Sequence, residues 1–176
     1  GSFEPLIPRD LRVEVAERVD AEGEVVTPLD EAGVERAVEA LLAGGAEALV
    51  IHFMHAYAND RHERRAREIA TRRWPNAYVT VGSEILPEYR EYERGTTAAI
   101  NAYVQPIMDR YLERLSEELR RQGARKALLV MQGNGGTTSV AVAVRHAVST
   151  LMSGPAAGVK AAAYTAAAAG HRNVIS

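Results

Sequence analysis

Two glycine-rich segments stand out in the second half of the chain: KALLVMQGNGGTTS from Lys126 to Ser139, and STLMSGPAAG from Ser149 to Gly158. In the first, an apolar run ends in glycines and small hydroxyl residues. That pattern is typical of a buried strand that brings backbone to a ligand at its carboxyl end. The three glycines between residues 133 and 136 permit sharp turns and a close approach to backbone amides. The pattern therefore predicts a loop whose backbone can lie close to a ligand.

The second segment predicts the start of a helix. Ser153 or Gly154 suits the N-cap, and Pro155 suits the first turn, where no N–H partner is needed. The unpaired N–H groups and the helix dipole at such a start favour anions. The structural alternative is a plain strand-to-helix turn followed by an ordinary cap. A Walker P-loop is disfavoured because Gly136 stands where that motif requires a lysine.

Composition places the chain among ordinary globular proteins: 176 residues, 47% hydrophobic and 25% charged. A net charge of -2 gives no electrostatic basis for binding nucleic acid or an anionic membrane. No apolar stretch reaches the roughly 18 residues that a membrane span requires. The absence of cysteine excludes disulfides and thiolate chemistry and fits a cytoplasmic protein.

Both ends of the sequence indicate a piece of a longer protein. Gly1-Ser2 resembles an expression tag, and the final residues 172–176, RNVIS, predict a strand that has just begun. We expect an internal fragment made of the tag at residues 1–2, an α/β portion of a first lobe at residues 3–93, and a second part at residues 94–176. The second part would hold a long helix and the start of a second lobe with the glycine loop.

The first half predicts helices alternating with strands of a parallel sheet. A hairpin is expected within residues 11–27, and a helix capped by Asp30 follows. The continuous apolar run 48–54 indicates a strand buried on both faces. Asp60 and Glu63 resemble a capping box that opens the next helix, which ends before a second strand at 78–81.

The second half predicts one long helix and the glycine loop. Residues 82–88 read as a loop, and the helix after it has an apolar stripe at Ile100, Tyr103, Val104, Ile107, Tyr111, Leu112, Leu115 and Leu119. Pro106 should kink this helix. A strand at 126–131, a short helix at 139–143 and an extended link at 146–151 follow. The alanine-rich helix 155–169 should pack closely against other elements, and residues 174–175 should begin a strand.

A charge-rich segment before the long helix allows two interpretations. It includes Glu84, Arg90, Glu93 and Arg94, and Asn101 follows it. Such a run is either a solvated helix end with weak local ion pairs or a set of groups that orients a polar substrate. The histidines lack the spacing of a zinc site, so we assign no metal ligand, and no catalytic residue is identified.

Several of these segments together resemble the hydantoinase A / 5-oxoprolinase family, which also includes N-methylhydantoinase and a subunit of acetone carboxylase. The matching motifs are YANDRHE from Tyr57, SEILPEYREYER from Ser83, TT at Thr96, NAYV from Asn101, MQGNGG from Met131 and LMSGPAAGV from Leu151. The resemblance begins near Asp30 and continues to the end. The family tends to have Pro at residue 60, Ser at residue 133, and Thr or Ser at residue 95.

The resemblance implies an α/β fold, with a mostly parallel or mixed sheet and flanking helices, that is part of an actin-like ATPase. It implies ATP-dependent opening of a small cyclic amide such as a hydantoin or 5-oxoproline, with Mg²⁺ in the parent protein and a larger partner subunit of the hydantoinase B type. The phosphate-binding hairpins of that fold carry Asp-Gly-Gly-Thr-like sequences, and the resemblance implies that one lies before residue 3 and the other directly after Ser176. We therefore expect the fragment alone to be inactive and to bind no cofactor. The alternatives are a non-catalytic phosphate- or nucleotide-binding module and a subunit-docking module.

The resemblance also implies the site residues. The loop at the interdomain cleft would comprise Gln132, Asn134, Gly135 and Gly136, and the helix start facing that cleft would be Ser153, Gly154 and Pro155. Second-rank candidates, near the cleft or at the partner surface, are Glu84, Arg90, Glu93, Arg94 and Asn101.

Overall fold

A computed structural model describes residues 5–175, so the predicted tag at residues 1–2 lies outside the described part. The predicted α/β class is confirmed: helices alternate with short strands along the chain. The described residues form three separate two-stranded sheets, two antiparallel and one parallel. The chain divides into two compact units, and the division falls between Pro106 and Ile107, inside the longest helix.

Unit 1 begins with the predicted hairpin and the predicted capped helix. After a 3-10 turn at Arg9–Leu11, strand β1 (Arg18–Val19) pairs antiparallel with β2 (Val25–Thr27). Helix α1 (Glu31–Ala43) then starts at Asp30, whose side chain accepts a hydrogen bond from the Gly33 amide at 2.9 Å. This confirms the cap, which satisfies one of the unpaired N–H groups of the first turn.

The core of unit 1 surrounds a parallel strand pair. Strand β3 (Leu49–Ile51) pairs with β4 (Val79–Val81), and helix α2 (Arg61–Thr71) connects them. This is the parallel arrangement that the helix-then-strand pattern predicts. The buried residues of this core are apolar side chains from both helices, both strands and the segment after α2: Val34, Val38, Leu49, Ile51, Ala66, Ile69, Ala70, Trp74 and Val79.

Two local predictions in unit 1 are wrong. Asp60 does not cap α2 with its side chain but pairs with Arg64 at 2.9 Å, and Glu63 turns inward and is fully buried. Residues expected as a loop after β4 instead form a short helix, α3 (Gly82–Ile85). Glu63 accepts a hydrogen bond from the backbone N–H of Ser83 in α3 at 2.8 Å, so its carboxylate contacts α3 and not the start of α2.

The long helix α4 (Glu91–Arg121) is confirmed and contains Pro106, but its predicted buried face is partly wrong. Tyr103, Ile107 and Tyr111 are exposed. The small and polar residues Ala98, Asn101 and Ala102 are buried in their place. Alanine and asparagine allow α4 to approach the strands closely, as shown by a hydrogen bond from Asn101 to Thr80 of β4 at 3.2 Å.

Unit 2 contains the glycine loop. Strand β5 (Leu129–Met131) pairs antiparallel with β6 (Thr137–Ser139), and α5 (Val140–Arg145) follows with Ser139 as its cap. Residues Ala147–Thr150 form a 3-10 turn where an extended link was predicted. The last helix is α6 (Ser153–Ala168).

Three further predictions in unit 2 are corrected. Strand β5 is partly exposed in an antiparallel hairpin, although its apolar sequence predicted a buried strand. Helix α6 buries none of its residues, although its alanine content predicted close packing. Alanine has the highest helix propensity, so this sequence forms a helix without a packed face. Residues 174–175 are exposed and form no strand within the described part of the chain.

Candidate functional site

The glycine segment forms the turn of the β5–β6 hairpin. The Gln132 amide donates to the Gly136 carbonyl at 2.8 Å, and the Gly135 amide donates to the Gln132 carbonyl at 3.0 Å. Gly135 has φ of +80°, the left-handed region that favours glycine. The Gly136 amide donates to the Asn134 side-chain oxygen at 2.8 Å. The Gly135 and Gly136 amides therefore bond within the turn, and the approach of a ligand to this loop stays a prediction.

The same turn is attached to the segment before α6. The Gly133 amide donates to the Ser149 carbonyl at 2.8 Å, and the Gln132 side-chain amide donates to the Ser149 hydroxyl at 3.0 Å. A Cβ at Gly133 would lie 2.4 Å from the Leu151 carbonyl oxygen, so only glycine fits this backbone. The hairpin and the segment that leads into α6 are therefore held together, as the sequence predicted.

The start of α6 differs from the prediction by one residue. The N-cap is Met152, which has φ of +60° and is 72% exposed, and Ser153 is the first helical residue. No side chain caps this end. A left-handed conformation costs a non-glycine residue roughly 1–2 kcal/mol, so the backbone here is held by its surroundings. Gly154 and Pro155 are exposed, and space above Gly154 is open.

Lys160 is a residue of this surface that the sequence did not single out. An added Cβ at Gly135 would lie 2.9 Å from the Lys160 Cε atom, so the lysine side chain lies across the glycine turn. Lys160 comes two helical turns after Ser153, and no local sequence pattern indicates that its side chain lies near Gly135. Together, the uncapped helix start and this ammonium group form an exposed surface with positive electrostatic character. We call the surface formed by residues 132–136, residues 153–155 and Lys160 the turn surface.

A second polar cluster lies in unit 1 and is buried. Arg94 and Glu63 are both fully buried, and Arg94 Nη1 donates to Glu63 Oε1 at 3.0 Å. Glu63 also accepts from the backbone amides of Phe53 and Ser83, both at 2.8 Å. Arg94 donates in addition to the Phe53 carbonyl and the Glu91 carboxylate. This buried pair ties the segments that follow β3 and β4 to the start of α4.

His52 fills the space beside this cluster. Added Cβ atoms would lie 2.9 Å from His52 Nδ1 at Gly82 and 3.2 Å from His52 Nε2 at Gly95. Burial, followed by the positive charge of Arg94, holds the pKa of the His52 imidazole below its usual value. Its Nε2 atom lies 3.6 Å from the Glu91 carboxylate. Residue 95 is a glycine in this chain, whereas the resembling family tends to have threonine or serine there. The absence of a side chain at Gly95 leaves the space that the His52 imidazole occupies.

The remaining second-rank candidates do not gather at one place. Glu84 pairs with Arg67 on the surface, and Arg90 pairs with Glu93 at 3.1 Å while exposed. Asn101 is buried against Thr80. The solvated-ion-pair interpretation therefore fits Glu84, Arg90 and Glu93, whereas Arg94 and Asn101 are structural. Sequence analysis missed Glu63, because the capping-box pattern gave its position a different role.

Residues 5–175 contain neither a cluster of metal-ligating side chains nor a helix that could span a membrane. Among residues 5–175, no three His, Asp or Glu side chains are grouped so that they could hold a metal ion. Among the helices described, none combines the length and apolar character needed to cross a bilayer.

With the geometry established, comparison with known proteins identifies the class. The model of the hydantoinase/oxoprolinase N-terminal region matches residues 2–74, and the hydantoinase/oxoprolinase model matches residues 94–176. The chain belongs to the hydantoinase/oxoprolinase family, which confirms the resemblance.

Individual proteins of this family are similar to the chain over most of its length. The chain is 41% identical to the uncharacterized protein MJ0964 of Methanocaldococcus jannaschii over 91% of its own length and 24% of that protein. It is 34% identical to the caprolactamase subunit alpha of Pseudomonas jessenii, over 97% of this chain and 25% of that subunit. The crystal structure of that ATP-dependent caprolactamase matches with a TM-score of 0.88 at 33% identity, covering 96% of this chain and 24% of that one.

A nucleotide-free structure of acetone carboxylase, from work on ATP-dependent acetone carboxylation, matches with a TM-score of 0.83 at 31% identity. It covers 97% of this chain and 24% of that one. The chain thus spans about a quarter of the length of the relatives it matches.

Proposed function

We propose that the chain is part of an ATP-dependent enzyme that opens a small cyclic amide by hydrolysis, and that the turn surface lines its reaction cleft. The observation that carries this proposal is the connection of the glycine turn to the start of α6 in an exposed position. Membership of the family and the similarity to an ATP-dependent caprolactamase support it. An actin-like fold, the lobe division at residues 3–93 and 94–176, and a cytoplasmic location belong to the same proposal.

The chemistry assigns a limited role to this chain. When bound, ATP supplies a phosphoryl group that makes the amide carbon susceptible to water, and Mg²⁺ offsets the phosphate charge. Water would add to that carbon, the ring C–N bond would break as the nitrogen gains a proton, and the phosphoryl group would leave with the former amide oxygen as inorganic phosphate. In this chain, the free N–H groups at the start of α6 and the Lys160 ammonium fit anionic oxygen atoms. The Lys160 side chain lies across Gly135, beside the glycine turn.

The test uses the longer parent protein together with its partner subunit. Ring opening of caprolactam, 5-oxoproline and hydantoin is measured with and without ATP, for the parent and for two variants. Gly135→Val forces a branched side chain into a left-handed position against Lys160, and Lys160→Ala removes the charge; both should lower the ATP-dependent rate at least about tenfold. Gly158→Ala is the matched control, since a Cβ there meets open space. Unchanged rates in both site variants would refute the role of the turn surface.

Subunit docking is a second candidate function, favoured by exposed aromatic residues on α4. Tyr92, Tyr103 and Tyr111 are 70%, 76% and 53% exposed. The caprolactamase relative is named as a subunit, so that enzyme is an assembly. We propose that a larger partner of the hydantoinase B type contacts this helix. Replacing Tyr103 with Ser should weaken copurification of the parent with its partner, whereas Glu113→Ser on the same helix should not.

A further inference from the structure

Unit 1 contains a groove of about 480 Å³ that follows strand β3. Five consecutive residues, from Leu49 to Phe53, line it, whereas no residue of β4 does. The groove therefore lies along the edge of β3 that faces away from its paired strand. Its other lining residues come from the first segment of the chain, α1, α2 and the first turns of α4.

The backbone at this edge has hydrogen-bonding groups available. The Leu49 amide donates to the Tyr78 carbonyl at 2.8 Å, so Leu49 points its backbone groups toward β4. Successive residues of a strand direct these groups to alternate edges, so the N–H and C=O of Val50 point into the groove side. Among the described residues, β3 pairs with β4 alone. An unpaired edge of this kind is a template for another strand.

Helices cover both faces of the space beside that edge. Leu49 and Ile51 belong to the core cluster with α1 and α2, whereas Thr80, on the opposite face of the pair, bonds Asn101 of α4. Val34 and Val38 of α1 and Ala99 of α4 line the groove. A strand that entered it would be covered on both faces. Parallel sheets occur almost only with both faces covered, and their strands are continuously apolar.

We propose that this groove receives an apolar β-strand, parallel to β3, from a part of the same polypeptide outside residues 1–176. The length of the relatives supports this source, because the chain spans only 24–25% of them. The groove matches the stretch from Leu49 to Phe53, so the strand is about five residues long, a common length. Its carboxyl end lies beside His52 and Glu91, which line the same groove.

Hydrogen exchange distinguishes this occupant from others. The Val50 and Ile51 amides are followed in the 176-residue chain and in the parent protein. The Ile51 amide faces β4 and should be protected in both. The Val50 amide should exchange rapidly in the short chain and at least about tenfold more slowly in the parent. Equal, rapid exchange of Val50 in both proteins overturns the proposal. So does protection of Val50 in the short chain that rises with concentration as a dimer forms, because the occupant is then a second copy.

Proline variants give an independent test. Val50→Pro removes only the N–H on the groove side, which an edge strand tolerates, so the short chain should keep its cooperative unfolding. The same change in the parent should lower its midpoint for thermal unfolding by several degrees or abolish folding. Ile51→Pro, the matched control, breaks the bond to β4 and should unfold unit 1 in both. A parent that tolerates Val50→Pro as well as the short chain does would overturn the proposal.

Discussion

At the scale of single residues, the buried Glu63–Arg94 pair is the most constrained feature of unit 1. Each partner is fully buried, and Glu63 is held by two backbone amides as well as by the guanidinium. Removing one member of a buried pair leaves an uncompensated charge, and that cost exceeds the value of the pair itself. Arg94 thus belongs to the architecture that fixes the ends of β3 and β4.

Arg94→Met should lower the free energy of unfolding of unit 1 by about 3–5 kcal/mol. The reason is that Glu63 would remain buried without its cationic partner. Urea denaturation followed by circular dichroism measures the loss. Arg64→Met is the control, because Arg64 pairs with Asp60 on the surface and should change stability by at most about 1 kcal/mol. If the two variants are equally stable, the buried pair does not have this role.

His52 gives unit 1 a dependence on pH. Because its pKa is lowered in the folded state, the folded protein binds fewer protons at this site than the unfolded chain does. The contribution of His52 to stability is therefore complete when the pH is above the imidazole pKa in the unfolded chain, about 6.5. That contribution is lost as the pH falls below this pKa. The thermal midpoint should drop between pH 7.5 and pH 5, and His52→Gln should make that drop smaller. His171→Gln, at an exposed position, is the control and should leave the pH profile as it is.

At the scale of elements, the β5–β6 hairpin and the segment before α6 form one assembly. Two hydrogen bonds to Ser149 and the close approach of Gly133 to Leu151 connect them. The resembling family tends to have serine where Gly133 stands. In this backbone a Cβ at residue 133 would collide with the Leu151 carbonyl oxygen. A serine at residue 133 therefore requires a different backbone position at residue 151.

Gly133→Ser should destabilise unit 2 by roughly 1–3 kcal/mol, because the Leu151 carbonyl must move to admit the Cβ. Thermal unfolding and the chemical shifts of residues 149–152 would report the change. Gly158→Ala provides the comparison: it adds a Cβ into open space within α6 and should stabilise the helix by about 0.5–1 kcal/mol. A neutral Gly133→Ser would mean that the link to α6 is mobile.

At the scale of the whole molecule, the chain belongs to the hydantoinase/oxoprolinase family but spans only about a quarter of the length of the relatives it matches. Several features are consistent with elements that are completed by other parts of a larger protein. Helix α6 has no buried residue, β3 has one strand partner among the described residues, and α4 exposes tyrosines. Enzymatic activity is therefore expected of the parent, and this chain is expected to supply one wall of its cleft.

The purified 176-residue chain should not hydrolyse ATP. Its sequence contains no Asp-Gly-Gly-Thr motif, and its glycine-turn amides are used within the turn and its link to Ser149. Phosphate release from ATP and Mg²⁺ should match the rate without protein. Turnover above that background that disappears in the Gly135→Val variant would contradict this expectation.

The sequence predicted correctly those features that depend on interactions between residues close together in the chain. The Asp30 cap, the alternating helices and strands around β3, and the glycine turn at Gly135 all follow from short-range preferences. The ordered motifs from Tyr57 to Val159 were enough to indicate the family. The proximity of the glycine segment to the start of α6 was also expected from sequence.

Tertiary structure decided what these groups do. Glu63 carries a capping-box pattern, yet it pairs with Arg94, 31 residues away, because a buried guanidinium requires a carboxylate more than a helix end requires a cap. Lys160 became part of the turn surface only because α6 folds back over Gly135. Periodicity placed Tyr103 on the buried face of α4, but Tyr103 is exposed and the small residue Ala98 is buried. Sequence fixes which conformations the backbone prefers, but contacts between distant residues select the partner of each polar group, because only those contacts determine which groups lose their water.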